Sequence, residues 1–335
     1  MFVHRIGIDL GTTNTVVFVP GKGFVIDEPT IVALGVPGSA VLAVGREAKE
    51  MLGKTPESIR AYRPLKDGVV ADYYITRAIL KYFINKAVGA FNLVKPEVVI
   101  SVPAGITATE RRAVENAALE AGARRAYLVR EPLLAALGAG ITINSSSGNM
   151  IINIGGGTAE VAVISLGGIV CYSSLRVAGN KFDQFLIDHV KKNHSVFIGE
   201  QTAEAAKIAI GTAVPMKNKL EFQLRGRDLT SGLPKDLIIN SNEVAEAINP
   251  LLMDIAGSIQ SVFNETPPEL VADVMEKGMI LSGGSSGLRN IDEFFKRLLG
   301  VPAYVAEEPI LCVAKGTGII LDHLDVYKKT LLSKP

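Results

Sequence analysis

Read for the spacing of apolar and polar positions, the chain alternates short apolar runs with segments of helical period. RIGIDL and TVVFVP are β-rich runs joined by Gly11-Thr12-Thr13-Asn14, a pattern that predicts a hairpin. FVIDEPTIVALGV continues the β character, with Pro29 marking an edge or a bend. Residues 46–66 are more polar and read as helix-like, and residues 73–91 place apolar groups at helical spacing until Lys95-Pro96 stops the element. VVISVP is a short buried strand. The surest helix lies in ITATERRAVENAALEAGA, where Thr107 and Glu110 have capping-box spacing and Gly122 stands at the C-terminal cap. YLVREP is a further strand ending at Glu131, and Pro132 suits the first turn of the next helix.

SSSGN at 145–149 is polar and turn-forming, a natural boundary. Beyond it the pattern restarts with strands in MIINI and EVAVISLGGIVCYSSLRV, then helices around 180–194 and 201–211. A β-rich insert follows through LEFQLRGRDL and DLIINS, with helices at 242–264 and 269–277, the run GMIL, and a helix at 288–299. Alternating strands and helices predict an α/β fold.

Composition changes this picture little and narrows the function. A chain of 335 residues is long enough for about two domains. Hydrophobic residues at 48 % and charged residues at 21 % are ordinary for a globular protein. With 35 Lys and Arg against 34 Asp and Glu, no basic excess argues for nucleic acid. The two cysteines, Cys171 and Cys312, make no disulfide framework. MFVHRIGIDLGTT lacks the apolar core of a signal peptide, and no apolar stretch reaches the ~18 residues of a membrane span. A soluble protein of the reducing cytosol is expected, with peripheral membrane contact left open. His189 and His194 are badly spaced for two metal ligands on one helix face, and solvent exposure is expected for both.

The two halves repeat a motif. IDLGTTNTVVFV (8–19) aligns with INIGGGTAEVAV (152–163), so that Asp9 falls on Asn153, Gly11 on Gly155 and Asn14 on Thr158. A duplicated hairpin predicts two like domains facing each other across a cleft. Glycines in each turn let the backbone approach an anion, and successive N–H groups make a concave nest for phosphate. Asp9 at a strand end suits Mg²⁺ held through water. A third cluster, LSGGSSGL (281–288), follows an apolar run and precedes a helix, another anion-binding geometry.

These three motifs resemble the nucleotide motifs of the actin/Hsp70/sugar-kinase superfamily. Within it, RPLKDGVVADY, SVPAGITATERRAV, EPLLAALGAG, RGRDLTSGLPK and TPPELVADVMEKG look like MreB, the bacterial actin-like family of cell-shape control, across essentially the whole chain. The resemblance implies an actin-like ATPase fold with two RNase H-like lobes. Lobe I would be residues 1–144 plus 312–335 with a small subdomain at about 32–66, and lobe II residues 145–311 with one at about 180–246. It further implies ATP and Mg²⁺ in the cleft, head-to-tail and paired filaments, and assembly on the inner face of the cytoplasmic membrane with the cell-wall elongation machinery.

Carried over residue by residue, Thr12, Thr13 and Asn14, after Gly11, form the first phosphate turn, and Gly155, Gly156, Gly157 and Thr158 the second. Gly283, Gly284 and Ser285 would lie beside adenosine and the α-phosphate. Glu204 and Lys207 match the pair that contacts ribose; from spacing alone they read as an exposed salt bridge one helical turn apart. Glu131 would orient the attacking water, although a carboxylate at a helix start is also favoured by the helix dipole. Family members usually carry Asp where this chain has Asn153, which predicts weaker metal holding and slow hydrolysis, or an assembly-modulating paralogue with little ATPase activity. Arg130, Lys181 and Ser285-Ser286 also depart from the usual pattern. Leu93 and Val94, flanked by Lys86 and Lys95, resemble a membrane-inserting loop; the alternative is that they lead into the VVISV strand and pack. The rival functions are a sugar or acetate kinase of the same superfamily, for which no insertion looks large enough to hold an acceptor, and an Hsp70-type nucleotide domain, for which the peptide-binding β domain is missing.

Overall fold

The computed structural model describes residues 4–36, 40–66, 69–70, 72–89 and 94–332, with the side chains of residues 66, 69 and 70 undescribed. Two five-stranded sheets organise them. In the first, strands Arg5–Leu10, Asn14–Val19 and Gly23–Pro29 form an antiparallel meander, and Glu97–Val102 and Arg125–Arg130 add in parallel on the other side of Arg5–Leu10. The second repeats this plan. Asn149–Ile154, Ala159–Ser165 and Gly168–Leu175 make the meander, and Met279–Ser282 and Ala303–Val305 extend it in parallel. The duplication expected from the two turns thus holds for whole sheets, and each turn joins the first two strands of its meander. Pro29 ends the edge strand, where its missing N–H costs no ladder bond.

The capping box is present, with Thr107 accepting from the Glu110 N–H at the head of Ala108–Glu120, and Gly122 follows the helix at φ 113°. Tyr73–Val88 forms as predicted but ends at Gly89. The insert forms an antiparallel hairpin, Glu221–Asp228 with Pro234–Asn240, joined by Val196–Phe197.

Two expectations are corrected. Residues 46–66 are helical only over Arg46–Met51; Gly53 and Pro56 break the pattern, and Ile59–Tyr62 then pairs as a strand with Val32–Gly35. The helix expected at 288–299 begins at Ile291, because Gly284–Gly287 winds into a 3₁₀ turn of its own.

The core has layers. Tyr73–Val88 and Ala108–Glu120 cover one face of the first sheet. Helices Glu131–Gly138 and Cys312–Asp322 lie between the two sheets, sharing a buried cluster with Val99 and Val129 of the first and Ile151 and Ile164 of the second. The contact of these two helices is close enough that a Cβ on Gly138 would strike the backbone of Cys312, and one on Gly316 that of Leu134. That crossing sets the distance between the halves.

Candidate functional site: a cleft between twin glycine turns

The meander turns of the two sheets meet. A Cβ on Gly156 would overlap the Thr13 side chain, and one on Gly157 would crowd Thr12, so glycine is what lets the second turn lie against the first. Thr13 Oγ1 donates to Asn180 Oδ1 at 3.2 Å, and the Asn180 N–H donates to the Gly156 carbonyl at 2.8 Å. Asn180, in the first turn of helix Gly179–His194, therefore ties both turns together. The first turn is braced from behind by Thr30, whose hydroxyl donates to the Gly11 carbonyl at 2.7 Å.

The cleft they bound holds about 670 Å³ including its open mouth. Gly11, Thr12, Thr13 and Asn14 line it from one side, Gly155, Gly156, Gly157 and Thr158 from the other, and Gly283 and Gly284 from the third turn. Asp9, Glu131 and Asn153 stand in its wall. All thirteen of these residues, expected at a nucleotide site from the sequence, thus line one cavity, whose apolar lining comes from Val16, Ile310 and Val313, which no motif marks. Gly283, at φ 86°, packs so closely on Ile154 and Asn153 that a side chain would collide. Ser285, which does not line the cleft, donates its hydroxyl to the Gly155 carbonyl at 2.7 Å, locking the third turn onto the second.

Symmetry extends into the chemistry. Ser101 Oγ donates to Asp9 Oδ1 at 2.9 Å, and Ser282 Oγ donates to Asn153 Oδ1 at 3.2 Å, each serine on the parallel neighbour of the strand it serves. Asn153 Nδ2 also reaches Glu131 Oε2 at 3.4 Å. Burial pushes Asp9 up to about 7, with the Ser101 hydrogen bond opposing. Glu131 is only 8 % exposed, and burial first, then Glu160 and Asp9, hold it well above the usual carboxylate range. Position at a helix start lowers a carboxyl's pKa; here desolvation and like charge win.

Glu160 was not anticipated. It lies directly across the hairpin from Asn153 and is fully buried. The only sequence signal was a lone acidic residue interrupting an apolar strand, TAEVAVI.

Among the described residues, no three His, Cys, Asp or Glu side chains are grouped to hold a metal ion directly. Asp9, a half-buried carboxyl in the cleft wall, would fit instead a hydrated Mg²⁺, which dehydrates reluctantly and can be held through its waters.

Glu204 and Lys207 do not pair with each other as spacing suggested. Lys207 Nζ contacts Asp183 at 2.7 Å and the Gly179 carbonyl at 3.1 Å, beside the second turn. Glu204 reaches Lys49 at 2.9 Å, on helix Arg46–Met51. His194 is half-buried against Glu243 at 2.6 Å, not solvent-exposed as expected, and His189 is half-buried too. Leu93 lies outside the described residues; Val94 is half-buried, and Lys86 pairs with Glu28. Among the described residues no helix is long and apolar enough to cross a membrane.

The geometry has close counterparts. A model of the MreB/Mbl protein family matches residues 3–329. The chain is 47 % identical over 335 residues to the cell shape-determining protein Mbl of Bacillus subtilis (strain 168), covering 99 % of this chain and 100 % of that one. It is 44 % identical over 340 residues to the cell shape-determining protein MreB of Escherichia coli (strain K12), covering 100 % and 98 %. Crystal structures of MreB5 of Spiroplasma citri superpose with a TM-score of 0.93 bound to AMPPNP and 0.92 bound to ADP, at 36 % identity. The superposition spans 98 % of this chain and 99 % or 98 % of theirs.

Proposed function

The chain belongs to the MreB/Mbl family and has its actin-like fold, and from that premise we propose that it is an ATP-binding cytoskeletal protein that polymerises head to tail and acts in determining cell shape. The observation that carries this reading is the convergence of the two glycine turns, Thr12-Thr13 against Gly156-Gly157, on one cleft with carboxyls in its wall. Relatives of the same fold that carry ADP or AMPPNP support a nucleotide there.

In this reading the backbone N–H groups of both turns bind the phosphates, so a triphosphate bridges the halves and biases their closure. Glu204 and Lys207 approach the ribose. Asp9 would hold Mg²⁺ through water, and the ion would offset negative charge on the phosphates. Glu131 accepts a hydrogen bond from the attacking water and orients it in line with the γ-phosphate. That role requires the ionised form, which burial and then the neighbouring Glu160 and Asp9 disfavour. Asn153 keeps the shape of the usual Asp without its charge, so hydrolysis is slow.

The lobes are read as residues 1–144 plus 312–335 and residues 145–311, with small subdomains at about 32–66 and 180–246. The matching topology of the two sheets supports this division. Closure presents the face on which subunits stack, and filaments pair. At the inner face of the cell membrane, Leu93 and Val94 enter lipid while Lys95 meets anionic headgroups; Lys86, paired with Glu28, contributes less. A filament multiplies this weak contact. The cell-wall elongation machinery is the expected partner, and near-neutral charge gives nucleic acid no hold.

The test is sedimentation with and without Mg-ATP, electron microscopy of the protein with ATP on anionic vesicles, and phosphate release on the same samples. ATP-dependent pelleting and slow release are expected. ATP binding without polymer under any of these conditions would overturn the filament reading.

A further inference from the structure

The edge strand of the first sheet ends in a buried acid that no motif marks. Glu28 is only 7 % exposed, although strand Gly23–Pro29 forms the rim of its sheet. Its Oε1 accepts from Lys86 Nζ at 2.5 Å and its Oε2 from the Tyr82 hydroxyl at 3.3 Å. Both donors stand one turn apart on helix Tyr73–Val88, and Lys86 Nζ also donates to Tyr82 Oη at 3.0 Å. An apolar side chain would fill this place without taking a carboxylate out of water, so packing alone does not account for the ion pair. Its surroundings do. Three parts of the molecule are fastened to residues 27–30. The first is the phosphate turn: the Thr30 N–H donates to the Thr13 carbonyl at 2.8 Å, and Asn14 Nδ2 donates to Asp27 Oδ1 at 3.4 Å. Thr15, directly across the ladder from Glu28, bonds the Thr30 hydroxyl at 2.8 Å; because that hydroxyl donates to the Gly11 carbonyl, Thr15 is the donor. The second is the start of helix Arg46–Met51. The Gly45 N–H donates to the Ile31 carbonyl at 3.0 Å and Arg46 Nη2 to the Asp27 carbonyl at 3.3 Å. Gly45, at φ 74°, lies so close over the Glu28 carboxyl that a Cβ would overlap Oε2. The third is helix Tyr73–Val88, through Lys86 and Tyr82.

We propose that Glu28, clamped by Lys86 and Tyr82, is a positioning residue that makes the first phosphate turn and the helix carrying Lys49 move as one piece, so that nucleotide on the turn tightens the mouth of the cleft. The proposal rests on the reading that this turn binds phosphate. Helix Arg46–Met51 packs on a small buried cluster of its own, with Ile31, Ala33, Ala43 and Ala48, and carries Lys49 to Glu204 of the other half. It can therefore shift with its own sheet, and its start at Gly45 is where residues 27–30 grip it. With the clamp intact, a phosphate that draws on the turn around Gly11 and Thr13 moves residues 27–30, and Gly45 with them. With the clamp loosened, that segment slides against helix Tyr73–Val88 and the movement is lost before it reaches Lys49. Coupling of this kind is reciprocal, so closure of the mouth also strengthens the hold on nucleotide.

The test is hydrogen–deuterium exchange of the full chain with and without AMPPNP, read at two places. Amides of residues 10–15 report nucleotide on the turn, and those of residues 45–52 report its arrival at the mouth. In wild type, AMPPNP is expected to slow exchange at both. In Glu28→Gln, which keeps the shape and removes the charge, residues 10–15 should be protected as in wild type. Protection at 45–52 should fall by about tenfold, the exchange equivalent of one charge-assisted hydrogen bond. Lys86→Arg keeps the ion pair and should keep both effects. A clamp that only stabilises the fold would lower the melting temperature of Glu28→Gln and leave the AMPPNP-dependent difference at 45–52 intact, and that result overturns the proposal. Should Glu28→Gln not fold, Lys86→Gln, at a half-exposed side chain, decides in the same way. Wild-type protein protected at 10–15 but not at 45–52 overturns the proposal and leaves the nucleotide reading standing. Absence of protection at 10–15 overturns the nucleotide reading and the proposal with it.

Discussion

At the scale of single residues, the cleft is defined by where charge is and is not. Asn153→Asp restores an acid beside Glu131, Asp9 and Glu160 and replaces the Nδ2 donor to Glu131 with an acceptor. Without metal this crowds carboxyls; with Mg²⁺ it adds a ligand-sphere acceptor. The variant should therefore melt lower than wild type when nucleotide-free, bind Mg-ATP more tightly relative to metal-free ATP, and release phosphate several-fold faster. Thermal melting and a phosphate-release assay check this, and an unchanged rate would mean that the missing charge at Asn153 does not limit hydrolysis. The same carboxyls make nucleotide-free stability depend on pH. Glu160 is raised from 4.5 to about 7 in the folded chain, so between these values the folded state binds more protons than the unfolded one, and stability falls as pH rises. Full displacement of one such group corresponds to about 3 kcal/mol. Wild-type protein without nucleotide should thus melt higher near pH 5.5 than near pH 8, and Glu160→Gln should flatten that slope. Asp9, Glu131 and Asn153 were legible because each ends a strand beside a glycine turn or a helix-starting proline. Ser101 and Glu160 were not, because their meaning comes from cross-strand register.

At the scale of elements, the helix that begins with Glu131 is held by one crossing. Gly316 of Cys312–Asp322 passes over Leu134 so closely that a Cβ would strike its backbone. In an exposed helix Gly→Ala gains about 1 kcal/mol. Here Gly316→Ala should instead destabilise, by about 1–3 kcal/mol as overpacking does, and should slow phosphate release because the displaced helix carries Glu131. Urea unfolding and the release assay report the two effects, and a variant more stable than wild type would mean that the helices separate without cost. At the head of helix Ala108–Glu120, outside the cleft lining, Thr107→Ala removes a capping box and should cost about 1 kcal/mol without touching turnover. The cap was readable because its residues lie within one turn of each other. The crossing was not, since Gly316 in AKGTGII reads only as a weak helix former. Residues 46–66 were misread for a related reason: their polar helix-like start is genuine, but Gly53 and Pro56 hand the chain to a strand whose partner, Val32–Gly35, lies well upstream.

At the scale of the whole molecule, the halves are joined at the floor by a shared apolar core, at the turns by Thr13 and Asn180, and at the mouth by charge. Lys49 meets Glu204 at 2.9 Å, Arg63 meets Glu200 at 3.1 Å, and Gln201 Nε2 donates to the Lys49 carbonyl at 3.1 Å. Lys49 lies on helix Arg46–Met51 and Arg63 just past strand Ile59–Tyr62, while their partners lie on helix Glu200–Ile210, too far away in sequence for spacing to reveal. Each pair is partly solvated and stabilises closure by no more than about 1 kcal/mol. A weak latch of this size suits a cleft that must open to exchange nucleotide. Because Glu204 is assigned to the ribose, the clean probe is the other pair. Arg63→Glu and Glu200→Arg should each hasten release of a fluorescent ADP by about threefold to fivefold, the rate equivalent of about 1 kcal/mol. The double exchange restores opposite charges and should return the rate towards wild type. High salt should bring wild type towards the single variants, since half-exposed pairs are screened. A double variant as fast as either single one would mean that the mouth is held by the core and the turns alone, with the surface charges as bystanders.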